Sequence, residues 1–144
     1  MWAAAAASPP TIRPALPDDA DAIARIHVAS WQHTYADLLP ADFLSHLSIA
    51  DDARRWRRTM IDARPRLFVY VAERAGALTG FAVGGPNHLH DELYAGELQA
   101  IYLDPECERQ GIGTALVRAT AAHLAELGMP SMIVWVLAGN SARR

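Results

Sequence analysis

No lysine occurs in this chain; all 13 basic residues are arginine. That absence removes the phosphate-binding P-loop, whose Gly-Lys-Ser/Thr needs a lysine to reach the outer phosphates. With alanine so abundant, the missing lysine reads as a coding bias rather than a functional signal. Cysteine occurs once, at Cys107, which excludes an internal disulfide and fits a reducing compartment. No base neighbours Cys107 in sequence, so its thiol reads as a bystander rather than a nucleophile. No run approaches the ~18 apolar residues of a membrane span. The opening stretch, Met1 to Ala7, lacks the basic start and the apolar length of a secretory signal. A cytoplasmic protein is expected, with no membrane partner. An excess of positive charge is lacking too. The net charge of −3 advertises neither nucleic acid nor an anionic surface as a partner.

What is present is a globular composition, 51% hydrophobic and 20% charged over 144 residues. Residues 1–10 read as a flexible tail and residues 11–144 as a single domain. Thr11 to Ala15 is β-compatible but carries Pro14, which restricts it to an edge. Pro17-Asp18-Asp19 is a helix-start signature, and Ile23, Ile26, Ser30 and Trp31 then follow at helical spacing until about Tyr35–Leu39. Pro40 opens a second helix with Phe43, Leu44 and Leu47 on its buried side. A third runs from Ile49 to about Ala63, with Asp51–Arg55 and Arg58–Asp62 as i,i+4 pairs. Its arginines, Arg54 to Arg58 around Trp56, read as a solvated face about one buried ring rather than as a nucleic-acid patch.

Leu67–Glu73 and Leu78–Val83 are strands joined at Arg74-Ala75-Gly76, hence a hairpin. The loop with His88, His90, Asp91 and Glu92 has ligand chemistry, but no further ligand set stands at a recognisable spacing, so no metal is expected. Leu98–Leu103 is a strand ended by Asp104-Pro105. A helix runs from Gly111 to about Leu127, with His123 on its buried stripe as a satisfied, half-buried histidine. Gly128 caps it, and Ser131–Leu137 is a buried-type strand. The order β-α-α-α-β-β-β-α-β indicates an α/β or α+β sheet with helices packed on it.

The stretch Glu97 to Leu116 organises the rest. A strand, a short loop, Gly111-Ile112-Gly113 and a helix start expose the helix's first N–H groups toward an anion. Glycines let the backbone approach that anion closely. A dinucleotide fingerprint is excluded, because Leu116 occupies the position of its last glycine or alanine.

The loop Glu106–Gln110 leading into Gly111-Ile112-Gly113 resembles the coenzyme A pyrophosphate loop of the GNAT acetyltransferase superfamily, Arg/Gln-x-x-Gly-x-Gly/Ala. Further motifs agree in order. Ile12-Arg13-Pro14-Ala15 with Asp18-Asp19-Ala20 resembles the family's first strand and helix entry. Ser30-Trp31 with Thr34-Tyr35 resembles a motif of many bacterial members, Glu97–Leu103 the fourth strand, and Trp135–Asn140 the fifth strand and its exit. One departure is Glu108, where the family has glutamine or arginine; Arg109 beside it compensates the repulsion.

The resemblance implies a mixed, mostly antiparallel central sheet flanked by helices. It implies an N-acetyltransferase using acetyl-CoA as co-substrate and a small-molecule or peptidyl amine as acceptor. Ile101, Tyr102 and Leu103 would pair with the pantetheine arm at a strand edge. Arg109, Gln110, Gly111, Ile112, Gly113 and Thr114 would hold the pyrophosphate, and Asn140 would meet the pantetheine. Glu97 is the implied general base, while Trp31 and Tyr35, with Phe43, would line the acceptor pocket. A second departure is that the chain stops at Arg144, where the family continues into a helix and two strands, the helix bearing a tyrosine that protonates the thiolate. The expectation is a fragment, a truncated product, or a chain whose sheet a second copy completes as a homodimer. A non-catalytic acyl-CoA-binding module is the alternative reading.

Overall fold

A computed structural model of the chain describes residues 10–34, 40, 48–61, 67–86, 96–107 and 111–134. The expected helix after Pro40 and the His88–Glu92 loop lie outside the described residues. The elements follow in the order β1 (Thr11–Pro14), α1 (Ala20–Thr34), α2 (Ile49–Ile61), β2 (Phe68–Arg74), β3 (Ala77–Pro86), β4 (Gly96–Leu103), α3 (Ile112–Glu126) and β5 (Met132–Val134). Short 3-10 turns at Pro17–Asp19 and Pro105–Cys107 precede α1 and follow β4.

The five strands form one sheet in the order β1-β2-β3-β4-β5. The first three pairings are antiparallel, and β5 joins β4 in parallel. Pro14 thus stands on the edge strand, where a missing N–H costs no ladder bond. Ala75 (φ 54°) and Gly76 (φ 81°) turn β2 back on β3. Left-handed backbone at both central residues is what a two-residue hairpin needs to follow strand twist.

Alternation along the strands divides the core in two. Val69, Val71, Phe81 and Val83 face α1, where Ile23 and Ile26 meet them, and Trp56 and Met60 of α2 pack against the same cluster. Ala72, Ala82 and Leu98 face α3, where Ile112 and Leu116 meet them. The mixed sheet covered on both faces by helices matches the sequence expectation.

Helix ends obey local chemistry. Asp19 closes the turn before α1: its Oδ2 accepts from the Leu16 N–H at 2.7 Å, and its carboxylate accepts from the two terminal guanidinium nitrogens of Arg13 at 2.9 and 3.0 Å. Gly128 (φ 86°) ends α3, with its N–H on the Ala125 carbonyl and the Met129 N–H on the Leu124 carbonyl. That pair of bonds is a Schellman cap. On α2 the ion pairs differ from the i,i+4 spacing expected: Asp51 pairs with Arg54 and Asp52 with Arg55, both i,i+3. Asp62 lies outside the described residues. Arg54, Arg55, Arg57 and Arg58 are exposed and Trp56 is half-buried, so the solvated-face reading of this helix stands.

Candidate functional site along strand β4

Strand β4 carries an irregularity that decides where its side chains point. Val83 pairs with Ala100, but the next residue of β3, Gly84, pairs with Leu98. Gln99 is the extra residue of a β-bulge. Beyond it, Ile101 and Leu103 pack with the α3 cluster and Ala100 and Tyr102 with the α1/α2 cluster. Before it, Leu98 packs with α3, and a Cβ on Gly96 would strike Leu124 of α3 at 2.8 Å. Glu97, between those two, is therefore turned to the α1/α2 face. Without the bulge, strict alternation would have sent Glu97 to the α3 face with Ile101. Bulges that re-aim one side chain are frequent beside active sites. Glu97 is 1% exposed and engaged in the interior.

The other half of β4 is defined by its backbone. The Asp104 N–H bonds the Thr79 carbonyl at 2.9 Å, and Gly80 pairs with Leu103, Phe81 with Tyr102 and Ala82 with Ile101. Antiparallel bonding alternates along a strand. Tyr102 therefore exchanges its backbone bonds with β3, while Ile101 and Leu103 turn theirs toward the β5 side. Among the described residues β5 meets β4 only from Gly96 to Leu98. One of the turned groups is already used: Ser30 of α1 donates its hydroxyl to the Leu103 carbonyl at 2.8 Å. Among the described residues, three of the backbone groups of Ile101 and Leu103 that point to this side are left without a partner, namely the Leu103 N–H and both groups of Ile101.

At the end of the strand the Pro105–Cys107 turn leads toward Gly111, the N-cap of α3, at φ 80° and ψ 1° with no side-chain cap. Left-handed backbone requires a glycine at 111. Gly113 has a different status. Its φ is ordinary, and a Cβ there would meet only Leu103 Cδ1 at 3.7 Å, a normal contact. Neither packing nor backbone strain needs a glycine at 113. Its bare backbone beside an uncapped helix start suits the close approach of an anion. Ile112 is fully buried and anchors the turn, whereas Thr114 is exposed at its rim.

Trp31 is half-buried on α1, one position past the Ser30 hydroxyl that reaches β4. Tyr35, Phe43, Glu108, Arg109, Gln110 and Asn140 lie outside the described residues. Two other sequence candidates take structural places. Burial first, and then the nearby Asp104 carboxylate, push the Cys107 thiol up from its ordinary pKa. That opposes the thiolate a nucleophile needs. His123 shares a hydrogen bond with the Tyr70 hydroxyl through Nδ1 at 2.8 Å and stacks on Phe68, ring centroids 3.9 Å apart. It is the satisfied histidine that its position on a buried stripe implied.

One constellation was missed in the sequence. His27 of α1 bonds through Nδ1 to Asp52 Oδ2 of α2 at 2.8 Å, and Trp56 donates its indole N–H to the same oxygen at 3.2 Å. The His27 ring lies edge-on to Tyr102 of β4, centroids 4.8 Å apart, and also meets Trp56 and Phe81. A signal existed. His27 stands four residues after Ile23 on the stripe that faces the sheet, where a polar side chain needs a partner. Asp52, beside Asp51 in a helix rich in charge, carries no comparable signal.

Comparison with known proteins places this geometry among relatives. The model of the acetyltransferase (GNAT) family matches residues 22–144. The chain is similar to YuaI of Bacillus subtilis (strain 168), named an uncharacterized N-acetyltransferase. The two are 39% identical over 131 residues, covering 90% of this chain and 73% of the relative. Its fold is similar to that of the PaiA N-acetyltransferase from Thermoplasma acidophilum, solved in complex with coenzyme A. There the TM-score is 0.73 at 19% identity, over 94% of this chain and 84% of the other. A GCN5-related N-acetyltransferase from Rhodopseudomonas palustris gives a TM-score of 0.71 at 25% identity, covering 94% and 78%.

Proposed function

The chain belongs to the GNAT acetyltransferase family, and from that premise we propose that it moves an acetyl group from acetyl-CoA to a primary amine of a small molecule or peptide. The observation that carries this reading is a juxtaposition at the end of β4. Strand-edge backbone groups at Ile101 and Leu103 stand directly before an uncapped helix start at Gly111–Thr114. An extended amide-bearing arm and a pyrophosphate are the two halves of one ligand, and these are the two chemistries such elements bind.

The residues present fit that ligand. The Leu103 N–H and both backbone groups of Ile101 would hold the pantetheine amides as an added strand. The N–H groups of Ile112, Gly113 and Thr114 would hold the pyrophosphate, with Arg109 and Gln110 before them and Asn140 on the pantetheine side. Bound acetyl-CoA supplies the activated acyl group as a thioester. The protein's own task is to orient the acceptor and to handle its protons. A primary amine has a reference pKa of about 10.4, so it arrives charged and must shed a proton before its nitrogen can attack. Glu97, re-aimed by the bulge onto the α1/α2 face, would take that proton directly or through a water. Trp31 and Tyr35 would flank the acceptor.

A thiol-release assay with acetyl-CoA and a panel of primary amines tests the proposal. Turnover of at least one amine is expected. Acetyl-CoA binding without turnover of any amine would replace the enzyme by an acyl-CoA-binding module, and failure to bind acetyl-CoA would remove the proposal altogether.

A further inference from the structure

Asp52 is a carboxylate that acetyl transfer by Glu97 leaves unexplained. It is 4% exposed, within a cluster of aromatic rings at the α1/α2 junction. A buried carboxylate costs several kcal/mol unless hydrogen bonds replace its water. Here the His27 ring, the Trp56 indole N–H and, at 3.4 Å, the Arg55 guanidinium do so. Apolar side chains at 27 and 52 would fill the space without that cost, so stability alone does not call for the pair.

The pair has a directed consequence. An ionised carboxylate only accepts hydrogen bonds, so His27 Nδ1 holds a proton, and in the neutral ring Nε2 is left as a lone pair. Among the described residues neither His27 Nε2 nor the Tyr102 hydroxyl has a hydrogen-bond partner. A quarter of the His27 side chain is open. The groups facing the ring are Asp52 and Trp56 of α2, Phe81 of β3 and Tyr102 of β4.

Tyr102 and Glu97 share the same face of β4, separated by five steps of strand. At about 3.3 Å per step that is roughly 16 Å of backbone before the bulge shortens it. His27 is too distant to act on the nitrogen that Glu97 serves, but it packs on the same face of the sheet. We propose that His27 is a specificity-determining residue of the acceptor pocket. Its Nε2 accepts a hydrogen bond from a second ammonium or hydroxyl group carried by the acceptor, remote from the amine that is acetylated. Asp52 is the positioning residue that keeps the proton on Nδ1 and the lone pair on Nε2, and the Tyr102 ring beside it would offer a π-face to an ammonium. The acceptor class is an extended diamine or amino alcohol. This inference rests on reading the α1/α2 face of β4 as the acceptor side.

The experiment compares alkane diamines with n-alkyl monoamines of equal length, on wild type and His27→Asn. Asparagine keeps an N–H where Nδ1 stood, holding the Asp52 bond, and deletes only Nε2. Wild type is expected to favour long diamines in kcat/KM. His27→Asn should cut the diamine-to-monoamine ratio about tenfold, through KM rather than kcat, the worth of one bond to a charged donor. In 15N-histidine spectra, the Nε2 signal lost in the variant should move on titration with diamine and not with monoamine. An unchanged ratio, or an Nε2 signal indifferent to diamine, overturns the proposal. The spectra read binding without turnover, so they stand even if no amine is acetylated. Should His27→Asn fail to fold, the double variant His27→Phe with Asp52→Asn decides on the same two readings. It deletes Nε2 while the amide oxygen at 52 still accepts from the Trp56 N–H, and it should abolish the diamine preference.

Discussion

Ser30 Oγ donates to the carbonyl of Leu103 at 2.8 Å, joining α1 to the last residue of β4 across 73 positions of sequence. The bond removes one edge group of β4 from use and holds the strand end against the helix. Ser30→Ala should lower stability by about 0.5–1.5 kcal/mol, the net worth of a neutral hydrogen bond. It should also weaken acetyl-CoA binding by loosening the edge at Leu103. Urea denaturation and an acetyl-CoA titration check the two effects, and a variant unchanged in both would show the bond to be incidental.

Glu97→Gln keeps the shape of the side chain and removes its basicity. If Glu97 accepts the amine's proton, kcat at neutral pH should fall about 10²–10⁴-fold, with acetyl-CoA affinity little altered. The loss should shrink at higher pH, where more of the amine is already neutral. Steady-state rates between pH 7 and 9.5, set beside a binding titration, provide the check. Undiminished transfer at neutral pH would exclude Glu97 as the base.

Glu97 also shows where sequence reading stops. Its place at the head of a strand was legible from the apolar run Leu98–Leu103 after it, as was the glycine turn from Gly111 and Gly113. The face it occupies was not. That depends on one extra residue, Gln99, and a single-residue slip inverts every side chain on one side of it. The hairpin at Ala75-Gly76 and the cap at Gly128 were readable because Gly76 and Gly128 are the residues that left-handed backbone favours. The His27–Asp52 pair could not be, since its partners come from two helices whose spatial relation no local pattern encodes. The same holds for Ser30 and Leu103. Local signals revealed the elements, and the long-range polar bonds between them emerged only with the fold.

Gly111 and Gly113 should separate under alanine substitution. Gly111→Ala forces a Cβ into left-handed backbone at φ 80° and should cost about 1–2 kcal/mol of stability. Gly113→Ala meets only Leu103 Cδ1 at 3.7 Å and replaces a poor helix former, so stability should hold or rise by about 0.5–1 kcal/mol. Its damage should fall on acetyl-CoA, whose pyrophosphate would meet the new methyl group, raising Kd at least tenfold. Thermal melts and isothermal titration distinguish the two variants. If Gly113→Ala binds acetyl-CoA as wild type does, the pyrophosphate does not lie on this turn.

The Arg13–Asp19 pair ties β1 to the entry of α1 and gives stability a defined acid limb. The two bonds from the Arg13 guanidinium hold the Asp19 carboxyl below the usual carboxylate range, against the opposing effect of its burial, with help from the Leu16 N–H and the arginine's charge. A carboxyl whose pKa is depressed by folding contributes stability above its unfolded value, about 3.9, and loses it as pH falls through the lower folded value. Asp19→Asn removes that contribution at every pH. Near neutrality the wild type should exceed the variant by about 1–2 kcal/mol, in line with hydrogen bonds to a charged group. The gap should narrow once pH falls below about 4, as the wild-type carboxyl protonates. Arg13 also lies 3.5 Å from Glu73, so part of the guanidinium's pairing survives the substitution and the gap stays below that of an isolated pair. Urea midpoints at pH 7, 5, 4 and 3 measure it, and a gap that stayed constant or widened on acidification would show that the Asp19 charge does not stabilise this corner of the fold.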